Sequence, residues 1–311
     1  MNKITIVGAG KMAIEYAKVF ESLQIDYSVI GNSERSARIF EKNTTKKVVR
    51  GGLKKALKNT NELPNYLIIA VQVEKLYELV NVALDFKIPY ILVEKPGALE
   101  INHLESYKIR AQKNKCSIYI AYNRRFYDSV LLLQDYIVKD DGLTNLVFDF
   151  TEFTQKIDQL TKSQIVLDNW IISNSSHVID LAFYIAGSPV KLQCNTSSNQ
   201  EWNNMPAIFS GSGITDNDVL FSYSSNWKSV GNWKIEVTTK KSKYLLNPLE
   251  DLKRKTFIDR EYITLFSDDG ALKPGLSNMV KSFLKNDFSK FCSIDEQIEN
   301  LKIMNMIKKL H

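Results

Sequence analysis

The sequence predicts an α/β protein: an N-terminal doubly wound parallel sheet, then an α+β domain with a large, mainly antiparallel sheet. Short apolar runs alternate regularly with helical stretches up to about residue 121, the pattern of a parallel sheet with right-handed crossovers. A glycine turn, Gly8-Ala9-Gly10, separates the first apolar run from the first helix. Beyond residue 122 several strand-like segments follow one another, with a hairpin turn among them, which implies antiparallel pairing. The expected division is residues 1–121 and 122–311.

Lys3 to Val7 is the first strand, and a helix runs from the glycine turn to about Leu23. Strand, glycine turn and helix stand in the order of a dinucleotide fingerprint. Gly8 permits a tight turn, Gly10 lets the backbone approach a pyrophosphate, and Ala13 serves where only close helix–strand packing is needed. Free N–H groups at the helix start, around Lys11 and Met12, face the phosphates. Without a ligand the same residues are a plain glycine turn. The second strand, Tyr27 to Ile30, ends in Gly31-Asn32-Ser33-Glu34-Arg35. An acid at this strand end bonds the ribose hydroxyls of NAD. Here Gly31 stands near that place, and Asn32, Ser33 and Arg35 suit a 2′-phosphate, which favours NADP. Glu34 is a competing acid, and Arg35 also fits a helix surface.

Tyr66 to Val71 is a buried strand whose end, at Val71, belongs with the cofactor contacts, and Leu76 to Leu84 is a helix. The next strand, Tyr90 to Val93, ends in Glu94-Lys95-Pro96. Proline cannot donate to the ladder, so Pro96 marks the strand's end and leaves Lys95 at the carboxyl edge, where open α/β sheets bind ligands. Lys95 is a candidate proton donor or oxygen-polarising group, and otherwise a surface charge. An unperturbed lysine titrates near ~10.4, so reversible proton transfer requires burial or a nearby cation. A helix from Leu104 to Lys113 and a strand from Ser117 to Ala121 complete this half, with His103 read as a surface residue.

In the second half, Asn123 and Arg124 lie near a strand's carboxyl edge and are candidate ligand contacts, while Arg125 reads as a surface salt bridge. Val130 to Val138 is a helix and Leu146 to Phe153 a strand with one covered face. The cluster Ser173-Asn174-Ser175-Ser176 has the residue types of a helix N-cap. His177 opens an apolar helix that stops at Gly187 and Pro189, and Asp180 lies one turn along it, suited to a substrate hydroxyl or to a neighbouring cation. Strands are expected at Val219 to Ser224, Trp233 to Thr239 and Tyr244 to Asn247. Trp202, Trp227 and Trp233 read as core or interface. Helices from Gly275 to Leu284 and from Ile294 to Leu310 close the chain, the last behind a capping box at Ser293-Ile294-Asp295-Glu296.

Taken together, Gly8-Ala9-Gly10-Lys11-Met12-Ala13 and Val93-Glu94-Lys95-Pro96 resemble the Gfo/Idh/MocA family, nicotinamide-dependent oxidoreductases acting mainly on sugars and cyclitols. Ala83 to Tyr90, Tyr122-Asn123-Arg124-Arg125-Phe126 and His177-Val178-Ile179-Asp180 extend the likeness to about residue 187. The resemblance implies a Rossmann domain with Lys95 beside the nicotinamide, polarising or protonating the substrate oxygen. It implies His177 as acid or base at the same centre, and Glu94 as structural or cofactor-contacting. The family often carries an acid four residues before this histidine, with a glycine between; Ser173 and Ser175 stand there instead. Ser173 or Asn174 would then orient the substrate, without the imidazolium stabilisation a carboxylate gives.

Composition narrows the remaining classes. A net charge of +6, with lysines scattered in short pairs, argues against a nucleic-acid interface and suits a phosphorylated ligand. Three widely spaced cysteines form no metal motif and fit a reducing cytoplasm. No apolar stretch reaches the ~20 residues of a membrane span. The expectation is an NADP-preferring (NAD possible) oxidoreductase moving a hydride to or from a sugar-like, even nucleotide-linked substrate, and the family resemblance implies a homodimer or homotetramer built through the second sheet. The rivals are a non-catalytic nucleotide-binding regulator, and a lyase or hydrolase that recycles the nicotinamide.

Overall fold

The computed structural model describes residues 3–157, 161–203, 205–268 and 270–308. In chain order the elements begin with β1 (Ile4–Val7), α1 (Lys11–Ser22), β2 (Ser28–Gly31), α2 (Glu34–Asn43), β3 (Val48–Arg50) and α3 (Gly52–Lys58). Next come β4 (Tyr66–Ile69), α4 (Val73–Asp85), β5 (Tyr90–Glu94), α5 (Ile101–Asn114) and β6 (Ser117–Ala121). They are followed by α6 (Asp128–Lys139), β7 (Leu143–Asp149), α7 (Gln164–Asp168) and α8 (Ser176–Ala186). Seven strands then run in succession: β8 (Pro189–Asn199), β9 (Pro206–Thr215), β10 (Leu220–Asn226), β11 (Lys234–Thr239), β12 (Ser242–Leu246), β13 (Leu252–Thr256) and β14 (Ile263–Phe266). The chain closes with α9 (Leu276–Leu284), β15 (Cys292–Ser293) and α10 (Ile294–Lys308). Leu310, the expected end of the last helix, lies outside the described residues.

By packing, the chain forms two compact units. One holds the chain up to Asn123 together with Ala271–Leu301; the other holds Arg124–Gly270 and the chain from Lys302 onward. Packing thus groups Ala271–Leu301 with the N-terminal segment, a discontinuity that a division into 1–121 and 122–311 does not contain.

The first unit is a sheet of order β15-β6-β5-β4-β1-β2-β3, parallel throughout except for β15, which pairs antiparallel with β6. Strand order reverses between β1 and β4, the switch point at which open α/β sheets bind ligands. All four residues of β1 and of β4 are buried, as strands covered on both faces must be. Helix α1 turns Ala13, Tyr16, Ala17 and Phe20 onto the sheet at helical spacing. The late segment is held by an aromatic cluster. Tyr119 stacks on Phe288 at 4.3 Å, Tyr66 meets Phe283 edge-on at 5.4 Å, and the Tyr66 hydroxyl donates to Asn286 Oδ1 at 3.1 Å.

The second unit is built on an eight-stranded sheet, β14-β13-β12-β11-β7-β10-β9-β8. Only β7 and β10 pair in parallel; the other neighbours are antiparallel. Helix α8 covers one face, with Phe183 edge-on to Phe148 and Phe221 at 5.7 and 5.1 Å. Strands β8, β9, β13 and β14 have no counterpart in the sequence reading. In β9, Gly211 and Gly213 leave room for the rings of Tyr223 and Phe221 on β10, so the apolar pattern of that pair lies on one strand only. Among the described residues no helix is long and apolar enough to cross a membrane.

The turn after β1 tolerates little change. Gly8 has φ +112°, and a Cβ there would lie 2.2 Å from the Ala70 carbonyl oxygen. Gly8→Ala should therefore cost at least about 1–3 kcal/mol, read as a lower urea midpoint.

Candidate functional site

In the first unit the expected cofactor residues gather at the carboxyl ends of adjacent strands. The Gly8 N–H donates to Ile30 O at 2.8 Å and the Ala70 N–H to Val7 O at 2.8 Å, which fixes the crevice between β1, β2 and β4. Val71 borders it: its Cγ1 is 3.1 Å from where a Cβ on Gly8 would sit. Gly10 differs from Gly8. It is the N-cap of α1 with no side-chain cap, and a Cβ on it would meet nothing within 4 Å. Protein packing does not demand glycine there, whereas a phosphate approaching the uncapped N–H groups does. Lys11 is exposed and Met12 half-buried in that first turn. These residues fit a dinucleotide.

At the end of β2, Asn32, Ser33 and Arg35 are all exposed. Ser33 caps α2, its Oγ accepting from the Ser36 N–H at 3.3 Å. Glu34, the competing acid, is bonded by Arg38 Nε at 2.8 Å and Arg50 Nε at 3.1 Å, and these bonds hold its carboxyl below the usual range. Arg50 is a cation that the sequence reading missed; it pairs with Gly31 across β2 and β3.

Next along the edge, β5 delivers Glu94 and Lys95, both half-buried. The Gly97 N–H closes the turn on Glu94 O at 3.0 Å, and the Lys95–Pro96 bond is cis. Tyr16 donates to Glu94 Oε1 at 2.8 Å. Burial raises the Glu94 carboxyl above its ordinary value, opposed by the Tyr16 bond and by the charges of Lys95 and Lys273. Gln297, fully buried on α10, donates through Nε2 to Pro96 O at 2.9 Å. Nothing in the local sequence signals this brace. Asn123 is also buried and donates to Pro274 O at 3.0 Å, so its amide nitrogen holds the chain of its own unit.

In the second unit the Ser/Asn cluster is not a helix cap. Residues Ile171–Ser175 form a π-helical turn that runs directly into α8, and Ser175 already has helical dihedrals with no capping bond. A cap needs an extended residue before the helix, and here the preceding backbone is helical. Within Ile171 to Asp180 only Asn174 and His177 are half-exposed; the rest, Ser173 included, are buried. The two lie three residues apart, Asn174 on the π-helical turn and His177 in the first turn of α8. The His177 ring lies 6.2 Å from the ring of Trp233, over which the Arg124 guanidinium sits at 4.9 Å.

Arg125 and Asp180 depart from the expected surface salt bridge and hydroxyl contact. Arg125 is 2% and Asp180 1% exposed, and they form a two-pronged pair, Nε to Oδ2 at 2.9 Å and Nη2 to Oδ1 at 2.5 Å. Of the two roles open to Asp180, pairing with a cation is the one this geometry satisfies. The sequence reading also missed Glu152. Its buried carboxylate accepts from Asn174 Nδ2 at 3.1 and 2.9 Å and from Ser175 Oγ at 2.5 Å, and so reaches the π-helical turn from the segment after β7. No cluster of three or more His, Cys, Asp or Glu side chains suited to a metal ion occurs among the described residues.

Comparison with known proteins agrees with this layout. Residues 2–122 match the model of the oxidoreductase family with an NAD-binding Rossmann fold, Gfo/Idh/MocA. That segment is a Gfo/Idh/MocA-type NAD-binding domain. Three solved structures share the fold along nearly the whole chain. A UDP-N-acetylglucosamine 3-dehydrogenase from Acidithiobacillus ferrooxidans is 14% identical, with 98% of this chain and 96% of that one covered and a TM-score of 0.74. A levoglucosan dehydrogenase solved with NADH and levoglucosan is 13% identical, covering 98% and 96%, with a TM-score of 0.78. An oxidoreductase from Agrobacterium radiobacter, solved with NAD+, L-tartaric acid and magnesium, is 12% identical, covering 98% and 94%, with a TM-score of 0.76. No curated protein sequence matches the chain.

Removing one partner of the buried pair leaves a charge without its counter-ion. Asp180→Ala should cost about 3–5 kcal/mol, and the Arg125→Met/Asp180→Leu double variant should recover much of that in urea unfolding.

Proposed function

We propose that the protein is a nicotinamide-dependent, NADP-preferring oxidoreductase acting on a carbinol or carbonyl carbon of a sugar-like substrate. One observation carries the reading: an uncapped helix start with open space at Gly10, in the same strand-edge row that delivers Lys95. The sugar dehydrogenases that share the fold support the substrate class. The dinucleotide, when bound, supplies or takes up the hydride. Gly8, Gly10, Lys11, Met12 and Val71 form its cradle, and Asn32, Ser33 and Arg35 receive the adenosine end. Because Glu34 is engaged by Arg38 and Arg50, its repulsion toward a 2′-phosphate is reduced, which supports NADP.

Lys95 holds or gives a proton at the substrate oxygen, stabilising the charge that develops there in the reducing direction. His177 relays the proton. Arg124, Asn174 and Ser173 orient the substrate in the second unit, Asn174 and Arg124 with the more accessible polar groups. Glu94 keeps the Lys95 turn in place through Tyr16. The reading includes a cytoplasmic protein, in keeping with three cysteines that form no disulfide, and assembly through the second unit's sheet.

A screen of nucleotide sugars, free ketoses and cyclitols with NAD and NADP, followed by reduced-cofactor absorbance, tests the activity. Net turnover with a polyol or its ketone is the expected result; product formation without net cofactor change, or none with any member, refutes it. Lys95→Ala should keep dinucleotide affinity and lose on the order of a hundredfold or more in kcat; unchanged turnover would remove Lys95 from the chemistry. Arg35→Ala should weaken NADP roughly tenfold relative to NAD, the size of one charge-assisted hydrogen bond, in a fluorescence titration of both reduced cofactors.

A further inference from the structure

We propose that Lys273 is a second cation at the turn after β5, brought there by the late segment so that Lys95 releases its proton more readily. This rests on the reading that Lys95 handles the proton at the substrate oxygen. The placement is a property of the first unit. Strands β5 and β6 run side by side with Glu94 opposite Ala121, and two residues beyond Ala121 the Asn123 amide donates to Pro274 O at 3.0 Å. Lys273 is the residue before that anchored proline. The Leu276 N–H donates to Lys273 O at 3.2 Å, and Gly275, with φ +71°, turns the chain into α9. Lys273 is thereby held, half-buried, at the carboxyl edge that carries Glu94 and Lys95.

The elements packed around this turn bring few ionisable groups. Helix α1 supplies Tyr16, bonded to Glu94 Oε1 at 2.8 Å, and α5 supplies Tyr107, whose hydroxyl donates to Gly97 O at 3.4 Å. Burial pushes both phenols above their ordinary value, so they stay neutral. Helix α10 supplies Gln297, which is neutral as well. Among these groups the charges are Glu94, Lys95 and Lys273. Burial raises the Glu94 carboxyl, and the Tyr16 bond and the charges of Lys95 and Lys273 oppose it, so both ammonium groups act on one carboxylate. An acid beside Lys95 favours its ammonium form, whereas a second ammonium disfavours it. With Glu94 alone Lys95 would hold its proton more tightly; Lys273 offsets part of that hold. In the reducing direction a lysine that releases its proton more readily is the better donor to the developing alkoxide.

Lys273 acts through Lys95 and is a positioning residue, so the test reads the titration of Lys95 itself. Competitive acetylation of the ligand-free protein over a pH series, followed peptide by peptide in a mass spectrometer, gives the Lys95 midpoint without any substrate. Lys273→Met should raise that midpoint by about one pH unit, and Lys273→Gln should do the same, since each removes one like charge. Lys273→Arg, which keeps the charge, should stay within about 0.3 unit of wild type. Asn123→Ala, which removes the anchor on Pro274, should raise the midpoint by a smaller amount. A midpoint unmoved in Lys273→Met and Lys273→Gln overturns the proposal. So does an equal rise in Lys273→Arg, because a loss of packing would then explain it. In reductive turnover Lys95 must start protonated, so kcat/KM falls as pH rises through its midpoint, and this alkaline limb should move up with the labelling midpoint in Lys273→Met. A limb that stays in place while the midpoint moves also overturns the proposal. Should the midpoint move and no sugar or cyclitol be turned over, the functional reading fails and the coupling of Lys273 to Lys95 stands.

Discussion

The hydrogen bond from Gln297 to the carbonyl of Pro96 is the constraint on which the lysine-bearing turn depends. The chain leaving β5 has to present Lys95 at the sheet edge while burying Pro96 and Gly97. A buried carbonyl left without a donor costs about 1–3 kcal/mol, and the donor to Pro96 O is the Gln297 amide. It comes from 201 residues further along the chain. Gln297 can reach Pro96 because β15 adds to the edge of the same sheet and the Tyr119–Phe288 stack pins the preceding loop. The position of Lys95 is thus a property of the sheet together with the late segment folded onto it.

Three buried or half-buried carboxylates show how one residue type is put to different uses. Asp180 has a guanidinium on both oxygens and is committed to holding α8 against the segment before α6. Glu94 is held by a tyrosine hydroxyl, and burial keeps its carboxyl raised despite two nearby ammonium groups. Glu152 accepts from an amide and a hydroxyl on the turn that leads into the helix of His177. A guanidinium neutralises an acid, whereas neutral donors orient around it.

Much of the first unit was legible in the sequence. The strands at Ile4, Tyr66 and Tyr90 are short runs buried on both faces, and Gly8 and Gly10 stand where the chain must turn. Strand β3 and helix α3 escaped notice, because a three-residue strand and a seven-residue, lysine-rich helix carry too little periodicity. In the second unit β8 and β9 were missed for a related reason: β8 is a largely exposed edge strand, and in β9 glycines make room for rings supplied by β10. Of the two readings open for Ser173 to Ser176, capping falls away, because residue type alone does not say whether the preceding backbone is extended or helical.

The sequence by itself determined the alternation of the first unit's longer strands and helices, the glycine turn and the placement of Lys95 at a strand end. These follow from local periodicity and from the backbone rules for glycine and proline. Only the tertiary structure decided that Gln297 braces Pro96, that Arg125 and Asp180 neutralise one another in the interior, and that Glu152 brings an acid to the turn before His177. Each of these joins residues far apart in the chain. A buried polar group must find a partner, but which partner it finds is fixed by what packing brings within about 3 Å.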